Sequence, residues 1–240
     1  MPDQNTPAPT APDASPLAPS STVDDVVVAV DGTSGSGKSS TCRAVAQRLG
    51  LRYLDTGAQY RAMTWWMLEQ GVDVHDADAV AARSGEPDLL SGTDPAAPTI
   101  TVDGRDVSVE IRGEAVNGAV SPVATVPAVR ARLVALQREI IGAGGIVVEG
   151  RDIGSAVWPE ARVKVYLTAD PAARAARRAL ESGTADVEAT RASLLARDRI
   201  DSSRAVDPLT VPEGATHIDS TDLSLEEVVD LVAGLVTAPA

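Results

Sequence analysis

The ten residues Asp31 to Ser40, DGTSGSGKSS, constrain this chain more than any other stretch. They follow the apolar run Val26-Val27-Val28-Ala29-Val30, which reads as a strand buried on both faces. Gly32, Gly35 and Gly37 then free the backbone, so that successive N–H groups can turn inward on an anion. A helix beginning at Lys38 would add its unpaired amides and the positive end of its dipole. Gly32, Thr33, Ser34, Gly35, Ser36, Gly37, Lys38 and Ser39 match G-x-x-x-x-G-K-[ST] in full, between a strand and a helix as that pattern requires. The expected ligand is a nucleoside triphosphate. Lys38 would reach the β and γ phosphates, and the hydroxyl of Ser39 or Ser40 would serve Mg²⁺.

A phosphate-holding loop does not choose a reaction. GTPases, motors, transporters and small-molecule kinases share it. The formal net charge of -13 argues against a broad nucleic-acid surface or an anionic-membrane surface, though not against one anionic ligand in an arginine cluster. Lys38 and Lys164 are the only lysines among 21 basic residues, so a lysine inside the glycine loop is not filler. Val163 and Val165 flank Lys164, so the N-K-x-D stretch of guanine-reading switches is absent. The single cysteine, Cys42, reads as a small buried helix residue in a reduced, cytoplasmic protein. No run of ~20 apolar residues offers a membrane span, and the N-terminus carries no charged-then-apolar signal pattern. Residues 1–22 hold six of the 16 prolines and read as a disordered tail ahead of a single domain, 23–240.

Short apolar runs alternate with amphipathic stretches, which predicts an α/β fold with a central parallel sheet covered on both faces. Strands are expected at Val26 to Val30, Tyr53-Leu54, Ile146 to Val148, Val163 to Leu167 and Thr216 to Ile218. Helices are expected at Lys38 to Arg48, at Ala58 to Gln70 with both Trp65 and Trp66 in the core, and from Val129 to Gly142. Asp170-Pro171 opens another helix, and Ser224-Leu-Glu-Glu227 is a capping box for a last one carrying Val228, Leu231, Val232 and Leu235. Residues 72–120 break the rhythm: TITVDGRDVS alternates around Asp103-Gly104, the mark of a hairpin in a small β-rich insertion. The arginine-rich stretch 187–209 has few apolar anchors and suits a mobile helical lid.

Five stretches then fall in order: VDGTSGSGKSS, YLDTGAQYRA, NGAVSPVATVPAVR, VVEGRDIGSAVWPEARVKVYL and RDRIDSSRAVDPL. Together they resemble bacterial cytidylate kinase, over about residues 25 to 236. The resemblance implies a three-layer P-loop fold with an insertion on the side of the nucleoside monophosphate. It implies in-line transfer of the ATP γ-phosphoryl group to CMP or dCMP, with Mg²⁺ and by a monomer. It also implies roles. Arg61, Arg151 and Arg197 would hold the acceptor phosphate, where bidentate guanidinium forks suit the task. Ser121, Arg130 and Asp152 would read cytosine, Asp152 accepting from the N4 amino group. Thr56, Asp201 and Arg204 complete the acceptor side, the last two at the sugar, and Arg177 faces the donor nucleotide, with Arg174 and Arg178 beside it. Asp152 could instead cap a helix or pair with Arg151. Glu149, at the end of the third strand, could organise waters around the metal. An acceptor other than CMP, such as UMP or AMP, and a nucleotide switch or ATPase module remain open at this point.

Overall fold

In the computed structural model, which describes residues 25–183 and 186–238, the apolar run is the middle of a sheet. Val27–Gly32 forms β1, buried along its whole length. Its alternation serves two cores. Val28 and Val30 point with Val26 into one cluster, Val27 and Ala29 into another. Both sides of β1 are therefore covered, and a continuous run of small aliphatic residues is what such a position needs. The disorder expected for residues 1–22 lies outside the described residues.

The chain leaves β1 into α1 (Lys38–Leu49), which ends at Gly50 in the left-handed region, and returns as β2 (Arg52–Asp55). After α2 (Thr56–Glu69) and α3 (Ala77–Arg83) come three short strands, β3 (Leu89–Ser91), β4 (Ile100–Val102) and β5 (Arg105–Asp106). They make a separate antiparallel sheet in the order β3-β4-β5. The β4–β5 turn has Asp103 at φ 51° and Gly104 at φ 79°, the two left-handed residues of a tight hairpin. Asp103 also accepts from the Trp66 indole at 3.1 Å and from the Asp88 amide at 2.8 Å. Helices accompany this sheet. The insertion holds α3, a 3₁₀ turn at Glu110–Arg112 and the start of α4 (Glu114–Thr125), none of which the period-two alternation announced.

Val126, ahead of Pro127, is extended and parts α4 from α5 (Pro127–Ile141), which meet at 94°. Then follow β6 (Ile146–Glu149), a single π-helical turn at Ile153–Val157, β7 (Val163–Thr168), α6 (Pro171–Ser182), α7 (Val187–Ser203), β8 (Thr216–Asp219) and α8 (Leu225–Thr237). The main sheet runs β2-β6-β1-β7-β8 with every pairing parallel. Helices α1 and α8 cover one face; α5 and the π turn cover the other. A third cluster lies under the insertion, built from α2, α3, the small sheet, α4 and α5.

The expectation that both tryptophans lie in the core needs correction, and one apolar residue of the last helix lies outside it. Leu231 is 49% exposed, because α8 buries Val228, Val229, Val232, Ala233 and Val236 instead. Only Trp66 of the tryptophan pair is buried. Trp65 is half-buried, with the Arg105 guanidinium 5.1 Å from its ring centre. Among the described residues no single helix is long and apolar enough to cross a membrane.

Candidate active site

All five strands of the main sheet are parallel, so their C-terminal ends share one edge, where open α/β sheets place ligands. The glycine loop leaves β1 there. Gly32 has φ 146°, and a Cβ on it would lie 1.9 Å from the Leu167 carbonyl oxygen of the neighbouring strand. No other residue fits. Gly37 has φ 88° and is the N-cap of α1, with nothing near its missing Cβ. Lys38 is buried, and its ammonium donates to the carbonyls of Gly32 at 3.0 Å and Thr33 at 2.6 Å. Burial, and then the charge of Arg151, pull its pKa down to about 7. The Oγ1 of Thr33 is buried without a hydrogen-bond partner.

The loop is braced from outside. The Ser34 amide donates to Asp198 Oδ1 at 2.9 Å, and the Ser34 carbonyl accepts from Arg174 at 2.8 Å. Arg174 itself pairs with Asp198 at 2.5 Å, so α6 and α7 both clasp Ser34. Arg177 lies one step further out. It donates to the Ser220 carbonyl at 2.6 Å and the Thr221 carbonyl at 3.2 Å, while the Ser220 hydroxyl donates to the Ser36 carbonyl at 3.1 Å.

Behind the loop, Glu149 ends β6 and is buried. Ser39 donates to it at 3.0 Å, and the Tyr53 phenol donates to its other oxygen. Burial, then the neighbouring Asp55, raise the Glu149 pKa to about 7. Ser39 and Ser40 are both exposed, and the bond to Glu149 is made by Ser39. Thr56 is buried at the start of α2, its hydroxyl donating to the Glu149 carbonyl at 2.7 Å.

Across from the lysine, guanidinium groups crowd together. Arg61 and Arg197 both have lowered pKa values, to about 9 and about 10. Burial is the first cause in each. Next comes like charge: Arg197 and Arg178 on Arg61, and Arg151 and Arg178 on Arg197. Arg61 is held by Asn117 Oδ1 at 2.6 Å and the Ile111 carbonyl at 3.2 Å, and Arg151 by Asp201 at 2.9 Å. The Arg197 Nε is buried with no partner. Positive charges gathered from α2, α6, α7 and the segment after β6 repel one another, and an anion between them would relieve that.

Next to this cluster stands a buried nest of ions. Arg130, on α5, is 1% exposed and pairs with Asp152 and with Asp207, the latter at 2.9 Å. Arg204 Nη2 lies 3.1 Å from the other Asp152 oxygen, without hydrogen-bond alignment, and its Nε donates to the Asp207 carbonyl at 2.6 Å. Asp152 therefore neither pairs with Arg151 nor caps the π turn, whose first residue it precedes without a side-chain cap. Ser121, buried on α4, is the remaining residue of the sequence-expected set.

Asp198, Asp207 and Tyr53 belong to this site and were not among its expected members, while Arg178, expected beside Arg177 on the donor side, bears on Arg61 and Arg197. Arg197, Asp198 and Asp201 on α7 and its C-cap Arg204 recur at helical spacing, a signal that marks Asp198 as sharing a face with the expected residues. Asp207 had only the turn character of Asp-Pro to mark it. Among the described residues no group of three His, Cys, Asp or Glu is placed to hold a metal ion.

Residues 28–238 match the family model described as cytidylate kinase. The chain is similar to the cytidylate kinase of Streptomyces coelicolor, 56% identical over 225 residues that cover 93% of this chain and 95% of the relative. It is similar to that of Streptomyces avermitilis, 55% identical over 217 residues covering 90% and 94%. The Nocardia farcinica cytidylate kinase is 50% identical over 216 residues, covering 88% and 93%.

Proposed function

The chain belongs to the cytidylate kinase family, and from that premise we infer how its residues divide the transfer of a phosphoryl group from ATP to CMP or dCMP. The observation that carries the division is the guanidinium cluster of Arg61, Arg151 and Arg197. Its member Arg151 bears on Lys38 of the glycine loop and directly precedes Asp152 of the Arg130–Asp152 nest in the chain.

The loop amides and Lys38 hold the triphosphate. Lys38 now donates to carbonyls of its own loop, and an arriving polyanion would both draw the ammonium out and restore its charge. Arg61, Arg151 and Arg197 neutralise the acceptor phosphate, which otherwise repels the donor. Their role is charge stabilisation and alignment. The acceptor oxygen is already ionised, so no general base is assigned. Asp152 takes the cytosine amino group and Arg130 the ring acceptors. Uracil inverts that pattern and leaves the pair unmatched. Ser121, Thr56, Asp201 and Arg204 complete the acceptor side, and Arg177 supports the donor side through Ser220.

Ser39 fits Mg²⁺ better than Ser40. A hydroxyl oxygen beside a buried carboxylate is a hard-oxygen setting, and this ion keeps most of its ligands as phosphate and water. Mg²⁺ bound with ATP would add charge neutralisation. Residues 187–209, with Leu194 and Asp201 as the buried residues of α7, would close over the bound nucleotides and exclude water. The protein would act as a cytoplasmic monomer, with the chain from residue 23 as one domain and 72–120 as its acceptor-side insertion.

The test is an ADP-release assay with CMP, dCMP, UMP and AMP side by side, on the wild type and on Lys38→Ala. Turnover should require CMP or dCMP and should fall by about three orders of magnitude in the variant, its thermal melting unchanged. Equal turnover with AMP, or near-normal turnover in Lys38→Ala, would overturn the assignment.

A further inference from the structure

Asp207 adopts φ 45°, one of two non-glycine residues among those described with a left-handed backbone. It sits four residues beyond the end of α7, yet its carboxylate reaches α5, 77 residues away in sequence. One oxygen, Oδ2, accepts from both Arg130 Nε at 3.2 Å and Arg130 Nη2 at 2.9 Å. Asp152 takes a second hydrogen of Nη2. The third nitrogen of the fork, Nη1, is buried and without a partner. Tyr60 lies against the same guanidinium, its ring centre 5.8 Å away. Strain held in place at a buried charge, with one donor left over, is the arrangement of a group kept ready for something else.

We propose that Asp207 is a positioning residue for base recognition: it pins the Arg130 fork by two of its nitrogens and leaves Nη1 for a ring acceptor of the base. The proposal rests on the reading of Arg130 and Asp152 as the base-reading pair. A guanidinium facing a single carboxylate closes on it with both of its parallel N–H pairs. With Asp207 on one side, Arg130 meets Asp152 through Nη2 alone, and lone pairs of Asp152 stay open to an amino group. Without Asp207, Arg130 would turn fully onto Asp152, and each would satisfy the other at the expense of the base.

Two variants separate this from a mere turn. Asp207→Asn removes the charge while tolerating the left-handed backbone, and Asp207→Gly removes the side chain and relieves the strain. In steady-state assays both should raise the KM for CMP about tenfold and lower the preference for CMP over UMP to a similar extent. The KM for ATP should stay at its wild-type value and kcat at saturating CMP should change less than threefold or so. Wild-type CMP values and an unchanged CMP-to-UMP ratio in both variants would overturn the proposal, as would equal rises in the KM values for ATP and CMP. Absence of any CMP-dependent turnover in the wild type would instead overturn the reading beneath it, so the two failures are told apart.

Discussion

Asp31 is a carboxylate with no exposed surface, one residue ahead of the glycine loop. It accepts from the amides of Ile153 at 2.7 Å and Gly154 at 2.8 Å, which ties the end of β1 to the π turn after Arg151 and Asp152. Burial outweighs those two bonds and raises its pKa from 3.8 to about 6. The sign of the consequence is opposite to that of an ordinary paired carboxylate. Between those two values the folded protein keeps the proton that the unfolded chain has lost, so stability falls as pH rises through about 4 to 6, and the penalty is complete above. Its size is on the order of 3 kcal/mol. Urea unfolding of the wild type and Asp31→Asn at pH 4.5 and pH 7 measures it. The variant should be less stable at both, since its amide faces a backbone N–H, but should lack this part of the pH slope. Parallel slopes would mean that Asp31 does not titrate there.

At the level of elements, α8 shows what short-range pattern can and cannot say. Its start is explicit in the chain. The Ser224 hydroxyl accepts from the Glu227 amide at 3.3 Å, and Glu227 accepts from the Ser224 amide at 2.8 Å. Ser224→Ala should cost about 1 kcal/mol, seen as a lower urea midpoint with KM values unchanged; no shift in midpoint would mean that packing alone holds the helix end. The face it buries was less legible. Leu231 satisfies the same spacing as its neighbours, and only the placement of α8 against α1 leaves it outside. Helix α4 is a sharper case. It carries Asn117, Gly118 and Pro122, poor helix formers, and forms because Val116, Ala119, Val120 and Val123 have a core to enter. The strands were easier, because a run buried on both faces is apolar at every position and needs no knowledge of its partner.

For the whole molecule, the cores on the two sheet faces share the strands between them, so they should be lost together. Cys42 reports on this. It is fully buried on α1, and burial, followed by the charge of Glu149, holds its thiol well above the ordinary range. A thiol reagent should label the native protein only as fast as the molecule opens, and addition of urea below the transition should speed labelling with the denaturant dependence of global unfolding. Labelling that ignores urea would show that α1 opens by itself. The active-site edge depends on the same unity, since Ser34 is clasped by Asp198 from 164 residues away and Arg130 by Asp207 from 77. The sequence by itself determined the glycine loop, the order of the five main-sheet strands, the helix starts at Asp170 and Ser224, and the family. Each of these is written in a few adjacent residues, as a period of burial, a missing Cβ or a hydroxyl at a helix start. Only the tertiary structure decided which acid met which arginine. Asp152 turned to Arg130 and Arg204 instead of its neighbour Arg151, and Asp207 joined them. That choice depends on which charges separate elements carry into the same water-poor space, where each must find a partner, and no local pattern encodes it.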